Sequence, residues 1–172
     1  MSINYTLALI ESDSTQSHTI YLAEDNYVYS PHDQPYPLNL KSYISILGAG
    51  RDQTILDGNF QMTVGSAYNN EKHYIIKDLS IINGYNFHHS GIINPGGISI
   101  VENTNLLIEN VIFENNFSSA LRTTQVGGET AFSPDSSSLH LKNVKIINNN
   151  GTFSTRLIPA SALLTTKYVE TL

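Results

Sequence analysis

Apolar and polar positions along this chain alternate in short runs and then slip phase at an asparagine or aspartate. Between 106 and 113 the apolar positions are Leu106, Ile108, Val111 and Phe113: a step of two, a step of three across Asn110, and a step of two again. Tyr74, Ile76, Leu79 and Ile81 repeat that rhythm around Asp78, and Leu139, Leu141, Val144 and Ile146 repeat it around Asn143. Strict alternation predicts a half-buried strand, and one break in phase predicts a bend between two of them. A helix fits poorly, because Glu109 and Glu114 would then fall on no consistent polar face.

The copies recur at a fixed distance. Asp78, Asn110 and Asn143 are spaced by 32 and 33 residues, as are Asn83, Asn115 and Asn148. A third strand per copy is predicted at "GGISI" (96 to 100), with an echo at "GGETA" (127 to 131) and an earlier counterpart in the alternation of Phe60, Met62 and Val64. On that register Glu129 aligns with Ile98. Short strands repeated without helices between them predict an all-β solenoid, a parallel β-helix of about four coils, in which each strand pairs with its counterpart one coil away. The organisation expected is a lead-in over 1–18, the β-helix over 19–151, and over 152–172 either a cap or the end of a fragment, since the last stretch abandons the repeat.

The asparagines have a structural use at such corners. Their side-chain amides can bond from coil to coil in a ladder of about 4.8 Å per rung, and asparagine tolerates the left-handed backbone of a tight turn. Asp78, Asn110 and Asn143 are predicted to form one ladder, with Asp78 ending it, and Asn83, Asn115 and Asn148 a second. Lys77, Glu109 and Lys142 stand just before the corner with alternating charge, which supports register without indicating function.

Composition narrows the function classes. Charged residues make up 14% of the 172 and the net charge is −6, so the chain lacks the basic stripe that nucleic acid binding requires. There is no cysteine, hence no disulfide framework and no thiolate metal site. No cofactor and no metal are expected. No apolar run is long enough to span a membrane, and the first residues do not read as a signal peptide.

The stretch "TIYLAEDNYVY…PLNLKSYISILGAGRDQTILDG" (19 to 58), followed by copies of the form aliphatic, x, Asn, aliphatic, x, aliphatic, x, Asn, resembles the pectin-lyase-like right-handed β-helix proteins over residues 19 to about 150. "GGIS" and "FENN" are similar to short motifs of bacterial polymorphic outer-membrane and autotransported surface proteins. The resemblance implies a right-handed solenoid and a secreted or cell-surface location. It leaves activity open, because the family includes lyases, hydrolases, tailspikes and adhesins. The lyases' calcium-binding acidic column and the hydrolases' Gly-His-Gly, Asp-Asp and Arg-x-Lys motifs have no counterpart here. No outward column offers the paired carboxylates of glycoside hydrolysis, and Asp52 and Asp57 are read as belonging to a capping turn. No catalytic residue is therefore assigned. The expected function is a non-catalytic scaffold or adhesin-like carbohydrate-binding module; the alternative is a fragment of a polysaccharide lyase or glycoside hydrolase.

The candidate binding residues are Tyr85, His88, His89 and Arg122. The first three lie in "GYNFHHSGIINP" (84 to 95), and Arg122 in "NFSSALRTTQV" (116 to 126), one period later. Both stretches are predicted to be long corner loops leaving the same edge, where an aromatic could stack on a sugar and Arg122 could pair with a uronate or sialate carboxylate. Adjacent histidines in an extended segment point apart, which argues against a shared metal. The partner expected is a polysaccharide or cell-surface glycan, with continuation or stacking at the C-terminal end. Sequons occur at Asn4, Asn116 and Asn150.

Overall fold

The computed structural model of the chain describes residues 2–68, 74–85, 96–101, 105–117, 119–124, 138–149, 153–156 and 163–171. It is mostly β, with two sheets in which every strand pairing is parallel. The first sheet follows the order β1 (His18–Tyr21), β4 (Ile44–Leu47), β7 (Tyr74–Ile82), β9 (Asn105–Glu114), β11 (Ser138–Ile147) and β13 (Leu163–Thr171). Two more strands, β2 (Asp25–Val28) and β5 (Thr54–Asp57), continue it, β2 pairing with β5 and β5 with the second half of β7. The second sheet runs β12 (Phe153–Arg156), β10 (Leu121–Thr124), β8 (Ile98–Val101), β6 (Gly65–Tyr68) and β3 (Leu38–Leu40).

The phase slip in the sequence is a kink in the backbone. Asp78, Asn110 and Asn143 have φ of 56°, 54° and 52° in the middle of β7, β9 and β11, and the pairing skips from Lys77↔Glu109 to Leu79↔Val111 across them. A left-handed residue turns the strand without unpairing either half, and Asn and Asp adopt that conformation at the least cost after glycine. In the two earlier repeats the same two halves are separate strands, β1 and β2 or β4 and β5, joined by loops.

Inward positions stack in columns across the strands. Ile46, Ile76, Ile108 and Leu141 form one, and Leu56, Ile81, Phe113 and Ile146 another, all buried. Each fully buried aliphatic of this kind is worth about 1.5 to 3 kcal/mol relative to exposure. Thr54 stands in the Leu79 to Val144 column of the kink, where its Oγ1 donates to Ala23 O and accepts from Ala49 N, so a polar group is buried fully bonded.

Three expectations are corrected here. The third-strand echo is misplaced: Ile98 pairs with Gly65 and Leu121, so β10 and not "GGETA" continues "GGISI", and the alignment of Glu129 with Ile98 fails with it. Residues 127 to 131 lie outside the described residues. Phe60 and Met62 belong to a turn before β6 and not to a strand. Finally, the tail extends both sheets instead of folding over them: β13 pairs with β11 from Ser138↔Leu163 to Ile146↔Thr171, and β12 pairs with β10. Tyr168 occupies the position of Asn143 in that register, which is why the copy was illegible.

The lead-in is also structured. Helix α1 (Ile3–Leu9) puts Ile3 and Leu7 into the core against β3, the last strand of the second sheet. Asn4 Oδ1 accepts from Asn39 N, an amide on that edge, while Asn4 Nδ2 donates to Pro35 O and Pro37 O. Lys41 Nζ donates to Ala8 O and Ile10 O at the helix C-terminus. The helix thus covers one sheet edge, and its last carbonyls are met by Lys41, the residue that follows that strand.

Candidate functional site

Polar chemistry gathers at the kinks within the first sheet and at the corners that leave it. In the first predicted ladder Asn143 Nδ2 donates to Asn110 Oδ1 at 2.8 Å and Asn110 Nδ2 to Asp78 Oδ1 at 2.6 Å, with Asp78 as the terminal acceptor. The ladder is half-exposed to exposed, at the kink and not inside the core. In the second predicted column Asn83, Asn115 and Asn148 share φ of 51° to 54°, but among the described residues the only side-chain rung is Asn83 Nδ2 to Asp57 Oδ1 at 3.1 Å; Asn115 and Asn148 are exposed. These residues serve the backbone more than a ladder.

The buried asparagine network sits one residue further on. Asn116, 1% exposed, accepts from Gly84 N and donates to Ile81 O, both at 2.9 Å, and its own N donates to Asn149 Oδ1. Asn149 Nδ2 in turn donates to Phe113 O and Ile147 O. The doublets "NN" at 115–116 and 148–149 and "NG" at 83–84 are the sequence signal for this pair of adjacent roles, first a left-handed residue and then a bridge between repeats. Burial and bonding of the Asn116 amide also leave that sequon closed to modification in the folded chain, and both Asn4 amide hydrogens are likewise engaged.

Beside these corners lie aromatic side chains. Tyr85 and Phe117, in successive repeats, have ring centroids 4.8 Å apart at 44°, and Phe117 is 42% exposed. Their position is set by backbone bonds: Phe117 N donates to Gly84 O and Tyr85 N to Met62 O. Phe117 was absent from the expected site; the legible signal was its place one period after Tyr85. Phe60, 58% exposed, occupies the corner one repeat earlier, its N donating to Asn83 O.

Arg122 is not on a corner loop. It lies in β10, paired in register with Ser99, and is only 7% exposed, so the placement expected from the sequence is corrected and a solvent-facing guanidinium is lost from the site. The reason is the misplaced third strand: with "GGETA" taken as the strand, 121–124 read as loop. His88 and His89 lie outside the described residues. Of the four expected residues the structure therefore keeps Tyr85 at the edge and puts Arg122 into a strand.

Asp57 belongs to strand β5 and not to a turn. It shares an outward column with Glu114, separated by the rung of Ile82, so that their backbones are about 10 Å apart at the usual strand spacing. Glu109 is flanked by Lys142 Nζ at 2.6 Å and Lys77 Nζ at 3.6 Å. The hydrogen bond from Lys142 is the main cause that lowers its pKa below the ordinary value of 4.5. A folded-state pKa below the unfolded one gives stability that is present above the unfolded value and is lost as pH falls through the folded one. Because the pair is exposed and screened, the contribution is below about 1 kcal/mol. Glu109→Gln should therefore shift the denaturation midpoint slightly at pH 7 and not at all at about pH 2; an equal shift at both would assign the effect to packing.

Among the described residues no group of three or more His, Asp or Glu side chains is arranged to hold a metal ion, and no helix is long and apolar enough to cross a membrane. No family model, no curated protein and no solved structure matches the chain.

Proposed function

We propose that the chain is a right-handed parallel β-helix of the pectin-lyase-like kind, with one coil for each of the six strands of the β1-β4-β7-β9-β11-β13 path in place of the four or so expected from the repeats, and that it works as a non-catalytic, carbohydrate-contacting module of a secreted or cell-surface bacterial protein. Parallel register at every rung, strands kinked at Asp78, Asn110 and Asn143, and a second sheet fed by the corners support the architecture. The half-exposed Tyr85–Phe117 pair carries the binding reading. Aromatic faces that remain at the surface beside a corner held by backbone bonds offer the apolar face of a sugar ring a rigid platform at little entropic cost. The rungs themselves show what stability alone requires, aliphatic interiors and paired charges.

Retention on immobilised polysaccharides, run alongside assays for new reducing ends and unsaturated uronates, tests this. Retention without turnover is expected, with Tyr85→Ala and Phe117→Ala each weakening it. Turnover by the wild type would move the chain to the lyase or hydrolase reading, and retention indifferent to both variants would remove the aromatic pair from the site.

A further inference from the structure

The turn before β6 places a bulky residue where the backbone favours the smallest. Gln61 N donates to Gly58 O at 3.0 Å, closing a four-residue turn whose central residues, Asn59 and Phe60, have φ of 51° and 53°. Two consecutive positive φ values are the signature of a type I′ turn, whose second central position is the preferred place of glycine, as in Asn-Gly. Asn59 fits. Phe60 does not: a side chain with Cβ in that region is strained by about 1 kcal/mol, and its ring is 58% exposed, so no core contact offsets the strain. Strain held at an exposed aromatic calls for a role outside folding.

That role follows from what lies beside it. Phe60, Tyr85 and Phe117 stand at the same corner in three successive repeats, joined by the backbone bonds from Phe60 N to Asn83 O, Tyr85 N to Met62 O and Phe117 N to Gly84 O. The row runs across the strands, along the direction in which the rungs stack, and Tyr85 and Phe117 within it have ring centroids 4.8 Å apart, about the spacing of neighbouring strands and close to the length of one sugar unit in an extended chain. The charges flanking it are negative: Asp57 and Glu114 occupy the outward column three residues before Phe60 and Phe117. Arg122, the guanidinium expected to receive a sugar carboxylate, is buried in β10.

Resting on the carbohydrate reading above, we infer that Phe60, Tyr85 and Phe117 form a stacking row for a linear neutral glycan with equatorial linkages, its axis lying across the strands. Equatorial linkage keeps successive rings in one extended line and exposes their axial C–H faces to the aromatics. Asp57 and Glu114 accept bonds from the hydroxyl rims. Uronate polymers are disfavoured by those carboxylates, and curved, axially linked chains by the straightness of the row.

The test is calorimetric titration of the full chain with three hexasaccharides: β-1,4-linked glucose, α-1,4-linked galacturonate and α-1,4-linked glucose. The first should bind about tenfold tighter than either of the others, with the margin over galacturonate narrowing as salt screens the carboxylates. Phe60→Gly keeps the turn and removes the ring, so it should weaken β-1,4-glucan binding about two- to tenfold while the thermal midpoint stays level or rises. Galacturonate binding as tight as the neutral glycan, or an affinity unchanged by Phe60→Gly, overturns the row and its specificity but leaves carbohydrate binding standing. Absence of binding to all three and to the immobilised polysaccharides overturns both.

Discussion

Asn116→Ala should destabilise the chain by about 3 kcal/mol, far more than any exposed asparagine of the repeat. The side chain is 1% exposed and ties its corner to the preceding repeat, accepting from Gly84 N and donating to Ile81 O, while the backbone N of the same residue donates to Asn149 Oδ1. Truncation leaves the Gly84 N–H and the Ile81 carbonyl without the side-chain amide in a corner closed to solvent, and each buried group so orphaned costs about 1 to 3 kcal/mol. Asn143→Ala is the matched control, because its ladder bond to Asn110 is exposed and water can replace it; its cost should stay below about 1 kcal/mol. Denaturant midpoints at unchanged slope measure both. Equal costs for the two variants would show that the kink ladder and the buried bridge contribute alike, contrary to the burial.

Gly84→Ala should be at least as severe, about 3 kcal/mol or more. A Cβ at that position would overlap the Gly96 carbonyl and come within 2.8 Å of Asn116 Oδ1, so it meets backbone on one side and the buried bridge on the other. Backbone cannot move aside without parting the repeats, since Phe117 N bonds Gly84 O and Gly96 N bonds Phe117 O in the same corner. Gly65→Ala is the contrasting case: its nearest neighbour would be Ile98 Cγ1 at 3.4 Å, an ordinary contact, and a strand glycine replaced by alanine loses less chain entropy on folding. A thermal midpoint that falls with Gly84→Ala and holds with Gly65→Ala is expected. Retention of the wild-type midpoint by Gly84→Ala would mean that the repeats are less tightly apposed than the close approach requires.

Periodicity was readable wherever a copy kept its kink residue. Asp78, Asn110 and Asn143 each sit at positive φ, and the columns around them pair in the register the spacing implies. Where the kink was built differently, the reading stopped: β4 and β5 are separated by a loop, and β13 carries Tyr168 at the kink position. The third strand failed for another reason. Four-residue strands on the second sheet carry too few alternations to fix a phase, so a glycine pair at the right distance outweighed "LRTT", the strand that actually pairs with β8. That error carried Arg122 from a buried strand to an imagined loop. The order of the two asparagines in each doublet was also hidden, because sequence shows two equal amides and only the corner's closure makes one a surface turn residue and the next a buried bridge.

What the sequence by itself determined is the repeating, parallel, mostly β character of the chain, since alternation, a one-residue phase slip and a constant spacing between copies are local properties that any packing must respect. Only the tertiary structure decided which residues meet at the corners. The side-chain bridge of Asn116, the contact of Tyr85 with Phe117 and the burial of Arg122 each join or enclose segments about one repeat apart, and their energies depend on distances of a few ångströms that sequence spacing does not contain.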